Sequence, residues 1–145
     1  AIVSLSPYID YCILYNDQSA YTSGLIVPNR AACLEYVQQQ HEQPGNIEAY
    51  KLILSKIYDE LMKFRKGGVY EGMFPERWLP AVVGILPESF SEQNGTINST
   101  SKVVRRKVYE IFREELEFIY TPEGKDIRNT RNTRNIKKLF MVNNG

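Results

Sequence analysis

Residues 81–86 read AVVGIL and are followed by Pro87. Six apolar or small residues in a row, with no polar position on either parity, describe a short strand buried on both faces. Such a strand needs cover on each side, and 145 residues suffice for one ordinary domain with a continuous core but not for two comfortable ones. Hydrophobic residues make up 43% and charged residues 24% of the chain, a globular composition rather than a disordered one.

Two further strands accompany the first. Residues 9–15 (IDYCILY) and 21–27 (YTSGLIV) are rich in β-branched and aromatic side chains, and the short polar loop NDQS between them favours antiparallel pairing. Residues 1–5 read as the end of a helix, stopped ahead of Pro7 because the residue before a proline is biased away from helical backbone. Pro28 ends the second strand, and Asn29 is placed to N-cap a helix through Ala32, Cys33, Tyr36 and Val37. After a polar connection at 38–46, broken by Pro44 and Gly45, the helical spacing of Ile53, Ile57, Leu61 and Phe64 predicts a helix from Ala49 to about Lys66, ended by Gly67 and Gly68. Residues 74–78 form an aromatic, proline-containing connector in which Trp78, with Phe74, reads as a packing anchor. A last long helix is expected from about Lys102 to Tyr120, with Val104, Val108, Ile111, Phe112, Glu115 and Ile119 along its inner side and edge, broken by TPEG at 121–124. The fold class is α+β: a small sheet of about three strands with flanking helices, one domain over 1–145, ending in a basic tail at 121–145.

The formal net charge is +1, so attraction to phosphates must come from local patches. One histidine, His41, and two separated cysteines, Cys12 and Cys33, make no recognisable zinc site, and no metal site is expected. The cysteines sit among apolar neighbours and read as buried free thiols. No run approaches the roughly 18 apolar residues of a membrane span, and the first residues are not a signal peptide, so the expected location is cytoplasmic. The abrupt start AIVSLSPYID reads as cut from something longer. The carboxylates are scattered without a catalytic pair, and the sequons at Asn94 and Asn98 read as loop chemistry.

Two basic stretches remain. Residues 94–109, NGTINSTSKVVRRKVY, pass from a turn-rich, flexible loop into a helix, with Lys102 at the junction followed by Arg105, Arg106 and Lys107. A lysine so placed can neutralise charge building on a phosphoryl or carboxyl oxygen, but KVVRRK also fits the solvated face of a helix. Cations in a first helical turn oppose the macrodipole, which points to a use other than local stability. Residues 124–138 carry Lys125, Arg128, Arg131, Arg134, Lys137 and Lys138 against Asp126, a local charge of +5. That patch suits nucleic acid, anionic lipid or the phosphates of CoA, and equally a surface helix or frayed tail; it lacks the interleaved aromatics of a single-strand binder.

The order SPYID, LIVPN, FPERW, AVVGILPESF and NGTINSTSKVVRRKVYEIF resembles the C-terminal (lid) domain of adenylate-forming enzymes, specifically the long-chain fatty acid CoA ligases, from about Ser6 to Tyr120. In that family a strand ending in Leu-Pro leads into a loop with Thr and Gly, then a Lys with an Arg three residues on, then a helix. Leu86, Pro87, Thr96, Thr100, Lys102 and Arg105 reproduce the order. The resemblance implies that Lys102 enters the active site during adenylate formation; Arg105 reads as support for an anionic ligand or for the lysine's placement, and equally as a structural ion pair with an acidic neighbour. Many members place Gly directly before this lysine, whereas here that place is Ser101 and the glycine is Gly95. A second string, TPEGKDIR, offers Thr121, Gly124, Lys125 and Arg128, so Lys125 is the alternative motif lysine, though it follows a long helix rather than a strand end.

What the resemblance implies for activity is an ATP-dependent ligase that makes acyl-adenylate and then acyl-CoA, using ATP, CoA and Mg. Its large N-terminal domain and hinge are absent from this sequence, so the fragment is expected to fold but not to catalyse alone. The partners implied are that large domain, a fatty acid, ATP and CoA, with peripheral membrane contact of the parent enzyme left open and no nucleic acid expected. A nucleic-acid or anionic-surface module built on the basic tail is the alternative.

Overall fold

A computed structural model describes residues 2–16 and 21–141. In chain order they form helix α1 (Ile2–Leu5), strands β1 (Ile9–Tyr15) and β2 (Ser23–Pro28), helices α2 (Arg30–Gln39) and α3 (Ile47–Met62), strand β3 (Val82–Ile85), and helices α4 (Arg105–Ile111), α5 (Arg113–Ile119) and α6 (Thr130–Met141). The fold is α+β, with a mixed sheet of order β1-β2-β3 in which β1 and β2 are antiparallel and β2 and β3 parallel. The expected antiparallel pair and third strand are both present. The NDQS loop falls largely on residues 17–20, outside the described residues.

Both sheet faces are covered, as AVVGIL requires. Val83 and Ile85 face a core with Ile26, Cys33, Val37, Ile53, Leu54, Ile57 and Ile136, contributed mainly by α2, α3 and α6. Val82 and Leu86 face the opposite core with Leu25, Val27, Phe90, Val108, Phe112, Leu116 and Ile119. On β1 the pairing register shifts between Ile9 and Tyr11. One extra residue reverses the alternation, so Ile9 and Cys12 share the α3 side while Tyr11, Ile13 and Tyr15 turn to the α4–α5 side.

Helix starts follow side-chain capping. Asn29 accepts from Ala32 N and Asn46 accepts from Ala49 N, each with extended backbone. The polar connection begins later than expected, since Gln38 and Gln39 belong to α2. Helix α3 ends at Met62 rather than near Lys66, because Phe64 turns away to stack with Tyr70 and Phe74 at 5.1 and 5.7 Å. Within α3 the carboxylate of Glu60, 2% exposed, accepts from Ser6 Oγ at 2.7 Å and meets Lys63 Nζ at 2.7 Å. Burial alone would raise its pKa, but Lys63, Ser6 and Lys56 outweigh it and hold the group below the ordinary carboxylate range.

Trp78 is not a packing anchor. It stands 53% exposed at the end of a 3-10 turn, Glu76–Trp78, and the connector is held instead by its other aromatic, Phe74, stacked on Phe64, and by buried Leu79. The tail is not frayed through residue 141: Asn132, Asn135, Ile136 and Phe140 of α6 are buried, while Arg134, Lys137 and Lys138 stand on its exposed face. Cys12 and Cys33 are free thiols; burial pushes Cys33 up to about 12.

Candidate functional site

The long helix expected over 102–120 begins at Arg105 and is interrupted at Phe112, whose φ of −105 and ψ of 32 leave the helical region. Its buried positions run Val108, Phe112, Leu116 and Ile119, so the inner face rotates away from Ile111, which is 39% exposed. Lys102 therefore lies in the connection between β3 and α4, outside the first helical turn, and the macrodipole applies only to Arg105, Arg106 and Lys107, which open α4 with no acid in its first turn.

That connection is internally bonded rather than flexible. Asn94 Oδ1 accepts from Ser91 N at 3.3 Å, from Thr96 N at 3.1 Å and from the Thr96 hydroxyl, and Thr96 is fully buried. Gly95 carries the turn at φ +82, with the Lys107 stem packed over it. Ile97 and Val103 then form an antiparallel bridge, and Val104 N donates to Thr96 O at 2.8 Å. The tip is a second asparagine-centred turn, in which Asn98 Oδ1 accepts from Thr100 N, Thr100 Oγ1 and Lys102 N at 3.0, 2.8 and 3.0 Å. Asn98 N donates to Lys102 O and Ser101 N to Asn98 O, both at 2.9 Å. The two sequon asparagines are thus the frame of the loop, a local side-chain-to-backbone role that favours asparagine.

Ser101 adopts φ 63, the left-handed region that glycine enters without steric cost. Lys102 follows it with its main chain held at N and O by Asn98, while its side chain is exposed and without an ion-pair partner among the described residues. Arg105 Nη1 reaches Leu14 O at 3.5 Å, and the acidic partner expected for it is not found among the described residues. Glu110 is engaged instead by Arg106 at 2.9 Å and Lys107 at 3.9 Å. The structure thus brings Lys102 and Arg105 to one junction beside the end of β1, where Tyr109 Oη also donates to Leu14 O at 3.0 Å.

Lys125 stands in different surroundings. TPEGK forms a 3-10 turn, Pro122–Lys125, capped by Thr121, that closes the end of α5. Gly124 is buried, and a Cβ there would meet Phe118 O at 2.5 Å and the Ile119 backbone at 2.6 Å. Glycine at 124 serves close packing, not a turn that presents a lysine.

Beyond it, the arginines that drew attention to the tail divide. Arg128 pairs with Asp126 at 3.5 Å, and Arg131 with Glu115 at 3.1 Å and Glu114 at 3.3 Å. Arg134, Lys137 and Lys138 line an open cleft with Pro87, Glu88 and Met141. The residues that sequence reading passed over are the asparagines between them. Asn132 accepts from Ile85 N at 2.9 Å and donates to Val83 O at 3.0 Å and Ile127 O at 2.9 Å; Asn135 donates to Ile85 O at 2.8 Å. They complete the outer edge of β3, and the available signal was NTRNTRN, asparagine every third residue inside a helix where it is a poor helix former.

No family model matches the chain. The chain is 24% identical over 123 residues to fatty acyl-CoA synthetase B of Dictyostelium discoideum, covering 83% of this chain and 18% of that protein. Among solved structures it is similar to the A-PCP didomain of carboxylic acid reductase from Segniliparus rugosus in complex with AMP, with a TM-score of 0.61, 22% identity, and coverage of 82% of this chain and 15% of that one. It is also similar to the adenylation domain of a carboxylate reductase from Mycobacterium chelonae, with a TM-score of 0.56 and 22% identity over 79% of this chain and 16% of that one. The chain spans less than a fifth of the length of each.

Proposed function

Starting from a chain whose fold fits the C-terminal domain of adenylate-forming enzymes, we propose that it is the lid domain of an ATP-dependent long-chain fatty acid CoA ligase and supplies the adenylation lysine, Lys102. The observation that carries the reading is the backbone at Ser101. A φ of 63 directly before Lys102 is backbone that favours glycine, the residue many members of the resembled family place there, whereas Gly124 before Lys125 has no positive φ. The two asparagine-framed turns fix the path of the lysine's backbone, while its ammonium, unclaimed by any acid among the described residues, is available to a second surface.

In the first half-reaction a fatty acid carboxylate attacks the α-phosphate of ATP, giving acyl-adenylate and pyrophosphate. Lys102 would contact the carboxylate and the α-phosphate, placing positive charge where negative charge develops. In the second, the CoA thiol attacks the acyl carbon and releases AMP, and the lid turns so that Lys102 is no longer in the cleft. Arg105, tied loosely to β1 at Leu14 O, supports the lysine's placement or an anionic group of the ligand. Among the described residues no group of three or more histidine, cysteine, aspartate and glutamate side chains comes together. Free thiols at Cys12 and Cys33 support a cytoplasmic parent.

The test joins this domain to its large domain and measures the halves separately. Lys102→Ala should lower acyl-adenylate formation by about 10²–10³-fold while leaving thioester formation from supplied acyl-adenylate far less affected. Lys125→Ala should leave both near wild type. Equal losses in both halves, or a large adenylation loss from Lys125→Ala, would sink the assignment.

A further inference from the structure

Residues 63–80 leave the end of α3 and return to β3 as a loop with its own small core. Phe64 stacks with Tyr70 and Phe74, and Tyr70 N donates to Lys63 O at 2.7 Å. Arg65 ties the two limbs together, pairing with Glu76 at 2.6 Å and donating to Pro80 O at 2.9 Å. The return limb is fixed to the residue just before β2, since Arg77 O accepts from Thr22 Oγ1 at 3.0 Å. A loop this heavily bonded is ordered without a partner, yet Val69, Met73 and Trp78 are 75%, 48% and 53% exposed. The ring cluster already fills the loop's interior, so these three are surplus to it, and large apolar side chains held in water mark a contact surface. Tyr58 and Met62, one turn apart on α3, add exposed apolar surface next to the loop.

The charges around them indicate the partner. Of the loop's acids Glu76 is neutralised by Arg65, and Glu71 accepts from Gly67 N but keeps its charge, one carboxylate against two cations. Lys66 and Arg77 are exposed and have no ion-pair partner among the described residues. Apolar tips that include a tryptophan, flanked by unpaired cations, match the headgroup boundary of an anionic bilayer, where tryptophan settles and cations meet lipid charge. A protein partner would be better served by a contiguous desolvated pocket around a central anchor than by side chains carried on separate turns. We propose that the 63–80 loop docks the domain on an anionic lipid surface, inserting Val69, Met73 and Trp78 while Lys66 and Arg77 meet the headgroups.

Trp78 is the one tryptophan of the chain, so its emission reports on this loop alone. Phosphatidylcholine vesicles containing phosphatidylserine should shift that emission to shorter wavelength, shield it from an aqueous quencher and carry the chain upward in flotation. Vesicles of phosphatidylcholine alone should bind roughly tenfold or more weakly. Val69→Ser with Met73→Ser should weaken binding by about tenfold or more, and Lys66→Glu with Arg77→Glu should remove the preference for phosphatidylserine, with denaturation midpoints verifying that both variants fold. Unchanged wild-type emission on adding phosphatidylserine vesicles would overturn the proposal without recourse to any variant. So would a shift that tracks protein concentration in the absence of lipid, which would mark a second copy as the partner. Flotation that survives both loop variants but is lost on reversing Arg134, Lys137 and Lys138 would move the lipid contact to α6.

Discussion

Two stretches of this chain look alike in sequence, each mixing asparagine, threonine and basic residues, and the fold uses them in opposite ways. In the connection before α4, Asn94 and Asn98 bond to the backbone of their own loop, and the cation they frame, Lys102, is left exposed. In α6, Asn132 and Asn135 bond to the backbone of another element, the outer edge of β3, and Arg131 just ahead of them is bound to Glu115 and Glu114. The difference lies in where each asparagine finds its partner. A loop must satisfy its own polar backbone, whereas a helix does so by its own ladder and can spend side chains on a neighbouring strand. Density of positive charge separates the two poorly; the destination of the asparagines separates them well.

The largest expected effect probes the α6 side of this contrast. Asn132→Leu strips partners from Ile85 N, Val83 O and Ile127 O in a buried setting and should cost about 3–5 kcal/mol of stability, at roughly 1–3 kcal/mol for each stranded polar group. Urea denaturation monitored by circular dichroism measures it. On the same assay Lys102→Ala should change stability by less than about 0.5 kcal/mol, as for other exposed side chains without partners. If the two variants proved equally destabilising, the division between a framed and a structural basic stretch would collapse. Next in size, Arg131→Met should cost about 1–2 kcal/mol by leaving buried Glu115 with Asn135 as its remaining donor, while Arg134→Met, exposed and unpaired among the described residues, should cost less than about 0.5 kcal/mol.

What was legible in the sequence follows from the same physics. Periodicity announced β1, β2, β3 and α3 because the sheet buries both faces and α3 buries a stripe, and those patterns are local. Asn29 announced α2 because capping is settled within three residues. The order of strand end, loop, lysine and helix was legible too. The interruption at Phe112 was not, since neither proline nor glycine stands there; nor was the start at Arg105, because Val103 and Val104 are held by the bridge to Ile97 and the bond to Thr96 O. Trp78 was misread because a large aromatic residue implies burial only when nothing else fills the space, and Phe64, Tyr70 and Phe74 fill it. The bonds from Asn132 and Asn135 to β3 span 47 to 50 residues, and no local pattern records a partner that distant.

On the loop side, the left-handed residue comes next. At φ 63 a β-branched side chain is strained, so Ser101→Val should destabilise by about 1–2 kcal/mol, and Ser101→Gly should be no less stable than wild type. A harmless Ser101→Val would mean that the turn before Lys102 is free to change, and the link between that backbone and the lysine's placement would fail.

The smallest effect on stability is the most informative about the frame. Asn98 accepts three hydrogen bonds, but at an exposed tip where water replaces them readily, so Asn98→Ala should cost only about 1 kcal/mol. Its consequence for function should be larger than its consequence for folding, because the bonds to Thr100 and Lys102 N set the direction in which the lysine leaves the loop. With the large domain present, acyl-adenylate formation should fall by roughly tenfold, the order expected when a catalytic group is loosened rather than removed. Asn98→Asp, which keeps an acceptor at the same place, should recover most of that loss if geometry is what matters. Recovery of adenylation together with stability would leave the frame as a purely structural turn if Asn98→Ala had lost both in proportion. Recovery of adenylation at nearly constant stability would tie the asparagine to the lysine's placement, and that split distinguishes a framed lysine from one that merely happens to be exposed.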